Sequence, residues 1–221
     1  MSVLVFADST DGKFKKTAFE VVSYGKKVAE QLATNIVVVT INATDATALY
    51  AYGAEKVLTV ANDSLSTFNA KEYAAVLAQA ASKENATIVV VDSSINGLYL
   101  SPLVAVSLEA GYASNTVSEP SSINPFTVKR KAFSNKAFSN TIISTDKKVI
   151  GLAKNSFGIH ENPVVGTLEA FDATIAASGV KSESVERVSG EVTIADAATV
   201  VSAGRGLKVP VNWRRIDDLA D

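Results

Sequence analysis

The stretch Ser202-Ala203-Gly204-Arg205-Gly206-Leu207-Lys208 is the part of this sequence best suited to chemistry with a ligand. Glycines let backbone amides come close to an oxyanion, and the Arg205 and Lys208 cations add attraction for a phosphate. The same pattern also fits an ordinary glycine turn. It is shorter than a Walker loop, lacks that loop's Lys-Ser/Thr pair and does not carry the three-glycine dinucleotide spacing. A second place for an anion is the end of a parallel sheet, where Asp8 to Phe14 and Ser93 to Leu98 would form the loops. Each of those loops holds one glycine, Gly12 or Gly97, and Asp8 and Asp92 would repel phosphate. Both aspartates are therefore read as capping or turn residues, and that crevice is expected to be empty.

Other catalytic options are few. The chain has no cysteine, which excludes disulfides, thiolate catalysis and the usual zinc and iron–sulfur ligand sets. His160 is the lone histidine and stands in the polar context Gly158-Ile159-His160-Glu161-Asn162. With no nucleophile pattern or second histidine nearby in sequence, it reads as a surface-loop residue and not as a catalyst. Tyr50, Tyr52, Phe133, Phe138 and Phe157 read as core or interface aromatics. Trp213 calls for an apolar partner surface that the short C-terminal segment does not supply.

The elements that must position these residues follow from the hydrophobic pattern. At 221 residues and 47% hydrophobic content the chain can build one generous core, and a net charge of −2 gives no field for nucleic acid or anionic membrane. No apolar run is long enough for a transmembrane segment, and the N-terminus enters a strand at once, so the expected location is the cytoplasm. Four nearly continuous apolar runs, Val3 to Ala7, Ile36 to Ile41, Lys56 to Val60 and Thr87 to Asp92, predict parallel strands covered on both faces. Ala18, Val21, Val22, Gly25, Val28, Ala29 and Leu32 recur at helical spacing, with Lys15, Lys16, Glu20, Lys26, Lys27 and Glu30 on the opposite, solvated side. Further helices are predicted over Ala46 to Tyr52, ending at Gly53, over Ala70 to Lys83, and over Leu98 to Ala110, ending at Gly111 with Pro102 in its first turn.

The doubly wound part is thus expected to close near residue 112. Phe126 to Phe133, Lys136 to Ser144 and Lys148 to Leu152 then read as consecutive antiparallel strands, turning at Ser134-Asn135 and Thr145-Asp146. Residues Ala173 to Ser184 are small and polar and predict an exposed connection, after which Val185 to Ile194 reads as a strand. Thr199 to Ser202 is expected to be a new strand that feeds the glycine turn and a helix from Val211 to Asp221. A domain of residues 1–196 followed by the opening elements of a second, 197–221, is the expected organisation.

Taken in order, these segments resemble the electron transfer flavoprotein alpha subunit. The resemblance is carried by Ser2-Val3-Leu4-Val5-Phe6-Ala7-Asp8, Tyr52-Gly53-Ala54-Glu55-Lys56-Val57, Leu100-Ser101-Pro102-Leu103-Val104-Ala105, Ala137 to Thr141 and Lys148 to Phe157. Its most specific part is Val200 to Lys208, followed by Asn212-Trp213 and Asp218-Leu219-Ala220-Asp221. It implies an α/β fold with an open parallel sheet and flanking helices, an adenine-nucleotide-hydrolase-like or Rossmann-like three-layer sandwich, plus an antiparallel hairpin region. It also implies an electron carrier without substrate-converting residues, with FAD as cofactor of the full-length protein. The partners implied are a beta subunit, acyl-CoA-type or other flavin dehydrogenases, and a quinone-linked acceptor. Arg205 matches a family flavin contact, with Gly204 and Gly206 shaping its loop. The chain corresponds to the first two-thirds of a typical family member, so it is expected to act mainly as scaffold and heterodimer interface and to bind little flavin alone. The rival reading is a free-standing, stress-type α/β protein with ATP or AMP in the sheet crevice.

Overall fold

The computed structural model describes residues 1–180, 182–186, 194, 197 and 199–220. Internal packing divides the chain into Met1–Lys181 and Ser182–Asp221. The first unit opens with β1 (Ser2–Phe6), a two-stranded ribbon of β2 (Ser9–Thr10) and β3 (Lys13–Phe14), helix α1 (Lys16–Gln31) and β4 (Asn35–Ile41). A 3₁₀ helix over Ala46–Tyr52 leads to β5 (Lys56–Val60), α2 (Ala70–Lys83), β6 (Ala86–Asp92), α3 (Ile95–Leu108) and β7 (Gly111–Thr116). Then come β8 (Ser122–Ile123), β9 (Phe126–Ala132), β10 (Ala137–Ile142), β11 (Lys148–Leu152) and β12 (Thr167–Ala170).

Among the described residues, ten strands form one sheet in the order β10-β9-β7-β11-β6-β1-β4-β5-β12, with β8 paired to β9. The sheet is parallel from β7 to β12 and antiparallel at the β9/β10 end. The expected three-layer α/β sandwich with a hairpin region is what forms. Because strand side chains alternate between faces, each apolar run supplies two cores. Val3, Val5 and Ala7 join Tyr24 and Val28 of α1 on one face, while Leu4 and Phe6 join Val76 and Leu77 of α2 and Leu100 and Val104 of α3 on the other. Gly25 is required where α1 crosses the sheet, since a Cβ there would lie 2.2 Å from Val5 Cγ2. The predicted stop at Gly53 holds, with φ 98° in the left-handed region that favours glycine.

Several expectations are corrected. Lys148–Leu152 is not the third strand of an antiparallel meander. It lies between β6 and β7 and runs parallel to both. Four of its five residues are buried, with Val149 in one core and Ile150 and Leu152 in the other. A strand buried on both faces belongs in the middle of a parallel sheet, and the β6–α3–β7 crossover leaves a one-strand gap for it. The sheet therefore does not close near residue 112. Gly111 begins β7, and α3 ends at Glu109, φ 53°. Pro102 sits in the interior of α3 and not in its first turn. Glu20, expected on the solvated side of α1, is 3% exposed.

In the second unit, residues 199–202 form no strand. A strand exists through its ladder, and among the described residues of 182–221 no neighbouring strand offers one. The segment instead makes 3₁₀ turns over Arg205–Leu207 and Pro210–Trp213, followed by α4 (Arg214–Ala220). Most of the strand expected over Val185 to Ile194 lies outside the described residues, as does Asp221.

Candidate functional site

The glycine turn is built locally. Gly204 is extended, with φ −96° and ψ 173°, and its carbonyl accepts the Leu207 N–H at 3.2 Å. The Arg205 carbonyl accepts the Lys208 N–H at 3.1 Å, and Asn212 Nδ2 donates to the Leu207 carbonyl at 2.6 Å. Asn212 thus ties the turn to the next one, a role that the Asn-aromatic pair did not disclose in sequence. Arg205 and Lys208 are exposed, as are Arg214 and Arg215 in the first turn of α4. A Cβ built on Gly204 or Gly206 would meet nothing within 4 Å. Packing does not demand glycine at either position, whereas close approach by a ligand would. Neither 3₁₀ turn nor α4 contains a buried residue. The segment offers cations and open backbone to one side of an anion, and it lacks a core of its own to enclose an aromatic ring system.

The crevice at the carboxyl ends of the parallel strands has a different character. The topological switch point lies between β1 and β6, because the chain leaves β1 toward β4 and β5 and returns to β6 on the other side. Asp8 and Asp92 stand at the ends of those two strands. Ser94 caps α3 by accepting the Gly97 N–H at 3.1 Å and donates its hydroxyl to Asp92 Oδ1 at 2.7 Å. A Cβ on Gly97 would lie 1.9 Å from the Asp92 carbonyl oxygen, so α3 is seated directly on the strand end. Burial pushes the Asp8 carboxyl up to about 6, with the Asp92 charge adding to the rise and Asn96 and Lys15 opposing it. A tightly packed, acidic strand end is a poor receptor for nucleotide phosphate. Of the capping and turn readings of Asp92 these bonds fit the turn: Ser94 is the N-cap of α3, and Asp92 holds that cap in place by accepting from its hydroxyl.

Sequence reading missed a third feature. Glu20 on α1 accepts four successive backbone N–H groups from the loop after β11, those of Asn155, Ser156, Phe157 and Gly158, at 2.9 to 3.0 Å. This is a backbone anion nest whose anion is supplied by the chain itself. His160 lies just beyond. Its backbone N–H donates to Ser23 Oγ at 3.1 Å, and its exposed ring packs edge-on to Phe157 with centroids 5.1 Å apart. A cleft of about 400 Å³ opens here, lined by Lys26, Tyr52, Glu119, Phe157 and His160 among others. Tyr50, Tyr52 and Phe157 pack on the core as expected, while Phe133 and Phe138 are exposed on the β9/β10 hairpin. Among the described residues no group of three or more acidic or histidine side chains is placed to hold a metal, and no helix is long and apolar enough to cross a membrane.

Comparison with known proteins bears on the same segments. Residues 3–191 match the family model described as electron transfer flavoprotein domain. The electron transfer flavoprotein subunit alpha of Bacillus subtilis (strain 168) is 27% identical over an alignment that takes in 99% of this chain and 69% of that protein. The protein of the same name from Clostridium acetobutylicum is 24% identical, with the same coverage of 99% and 69%. The acryloyl-CoA reductase electron transfer subunit beta of Anaerotignum propionicum is 23% identical over 72% of this chain and 44% of that protein. With the family model spanning most of the sandwich and two relatives aligned through the glycine turn, the chain belongs to the electron transfer flavoprotein family and is of the alpha type.

Proposed function

We propose that this chain is the scaffold and partner-binding portion of the alpha subunit of a cytoplasmic electron carrier, with residues 1–196 as scaffold and 197–221 opening the flavin-binding domain. In this reading FAD is reduced by an acyl-CoA-type or other flavin dehydrogenase, and a quinone-linked oxidoreductase takes the electrons onward. The flavin supplies the redox chemistry. The chain's own residues bind and orient: Arg205 offers a bidentate cation to an anionic part of the cofactor, and Gly204 and Gly206 let the backbone approach it. The beta subunit completes the carrier.

The observation that carries this reading is the contrast between the two candidate anion sites. The strand-end crevice is filled by α3 and faces two carboxylates, while the Gly204-Arg205-Gly206 turn is open, basic and free of any packing need for its glycines. That contrast also weighs against ATP or AMP in the crevice, which calorimetric titration of the purified chain with either nucleotide checks. The test of the site is Arg205→Ala and Arg205→Lys in the protein isolated with its beta-type companion. Flavin retained through gel filtration should fall about tenfold or more for Ala and partly recover for Lys. Unchanged flavin content in both variants would remove Arg205 from the site.

A further inference from the structure

Helix α3 contains no Asp, Glu, Lys or Arg over its 14 residues, in a chain that is 20% charged. One face, Leu100, Ser101, Val104, Ala105 and Leu108, is buried against the sheet. The opposite face is apolar as well. Ile95 is 76% exposed, Leu98 44%, Tyr99 67%, Leu103 39% and Val106 78%, and exposed Pro102 lies among them. The spacing of 95, 98/99, 102/103 and 106 makes this one continuous stripe along the helix. A surface helix ordinarily turns a polar side to water, so apolar residues on both sides mean that both sides are to be covered.

We infer that this outer stripe of α3 is the docking face for the beta-type companion subunit, received by an uncharged, apolar surface of that partner. The inference rests on the heteromeric reading above and deepens it by naming the face. The size is appropriate. The five side chains expose on the order of 500 Å² of apolar surface, more than half of the ~800 Å² per partner that a stable interface buries. The arrangement is that of an interface core with a polar edge: Asn96, Ser107 and Glu109 border the stripe, and no charge interrupts it. Tyr99 is the one large aromatic with a polar tip in the stripe, the residue type that anchors interfaces. With no charge on the stripe there is nothing for a strongly anionic or basic surface to complement, so the fit is to an uncharged one.

The experiment measures binding of the chain to the beta-type subunit from the same organism by calorimetry, with masses from light scattering after size exclusion. The variants are Tyr99→Glu and Val106→Lys, with Lys71→Glu on α2 as an exposed control. Because Tyr99 and Val106 are largely exposed, urea midpoints should match the parent. Both stripe variants should weaken the complex by at least 100-fold while Lys71→Glu stays within threefold. If the parent binds the companion and the stripe variants bind equally well, the docking face is overturned while the heteromeric reading stands. If the parent does not bind the companion at all, that reading falls and this inference with it. A chain that forms homodimers dissolved by the same variants would assign the stripe to a second copy and overturn the proposal.

Discussion

Glu20 Oε1 accepts the backbone N–H of Gly158 at 3.0 Å across 138 residues of sequence. With the N–H groups of Asn155, Ser156 and Phe157 bound to the same carboxylate, this one side chain fixes the loop after β11 onto α1. Glu20→Ala leaves four amides without their acceptor at a buried position and should cost about 3–5 kcal/mol. Glu20→Gln can keep the three bonds to Oε1 but turns an amide NH₂ toward the Asn155 N–H, and should cost about 1–2 kcal/mol. Urea unfolding of both variants measures this, and equal losses would show that the three bonds a neutral amide oxygen can keep at the Oε1 position contribute nothing.

The seat of α3 on β6 depends on Gly97. Adding a methyl group there drives a Cβ to 1.9 Å from the Asp92 carbonyl oxygen, and a rigid backbone cannot yield as a side chain tip can. Gly97→Ala should destabilise the protein by about 3 kcal/mol or more, despite the better helix propensity of alanine. A thermal melt within one degree of the parent would contradict the close seating.

Asp8 predicts a pH dependence whose sign is set by its raised pKa of about 6. The folded state holds the Asp8 proton more tightly than the unfolded chain does, so its contribution is fully present below about pH 4 and is lost as pH rises toward 6. Above pH 6 the half-buried carboxylate beside Asp92 is a standing cost. Asp8→Asn should therefore stabilise the protein by about 1–3 kcal/mol at pH 7.5 and by little at pH 4. Urea midpoints of parent and variant across that range test it, and a difference independent of pH would refute the raised pKa.

The reach of sequence reading follows from where each signal lies. β1, β4, β5, β6 and the crossover helices were legible because a buried parallel strand writes a continuous apolar run and a helix writes its period within a few residues. Val149-Ile150-Gly151-Leu152 wrote the same kind of run, but its neighbourhood of turns suggested a hairpin. Only the gap left by β6–α3–β7 shows why it is central. Glu20 was indistinguishable from its charged helical neighbours, because its partners lie more than 130 residues away. The absence of charge in Ile95–Leu108 was visible all along, yet an apolar helix does not say how many of its sides are covered until burial separates Leu100 from Tyr99. Gly204, Arg205 and Gly206 were legible as an anion-suited turn. The predicted strand before them did not form, and among the described residues of 182–221 no strand lies beside it to pair with.

Native mass spectrometry of the chain, alone and with its beta-type companion, tests the central claim most directly. The account predicts a one-to-one heteromer in the mixture and a chain that carries no stoichiometric flavin when alone, colourless near about 450 nm where flavins absorb. A chain that holds one flavin, one ATP or one AMP by itself and ignores the companion would contradict it.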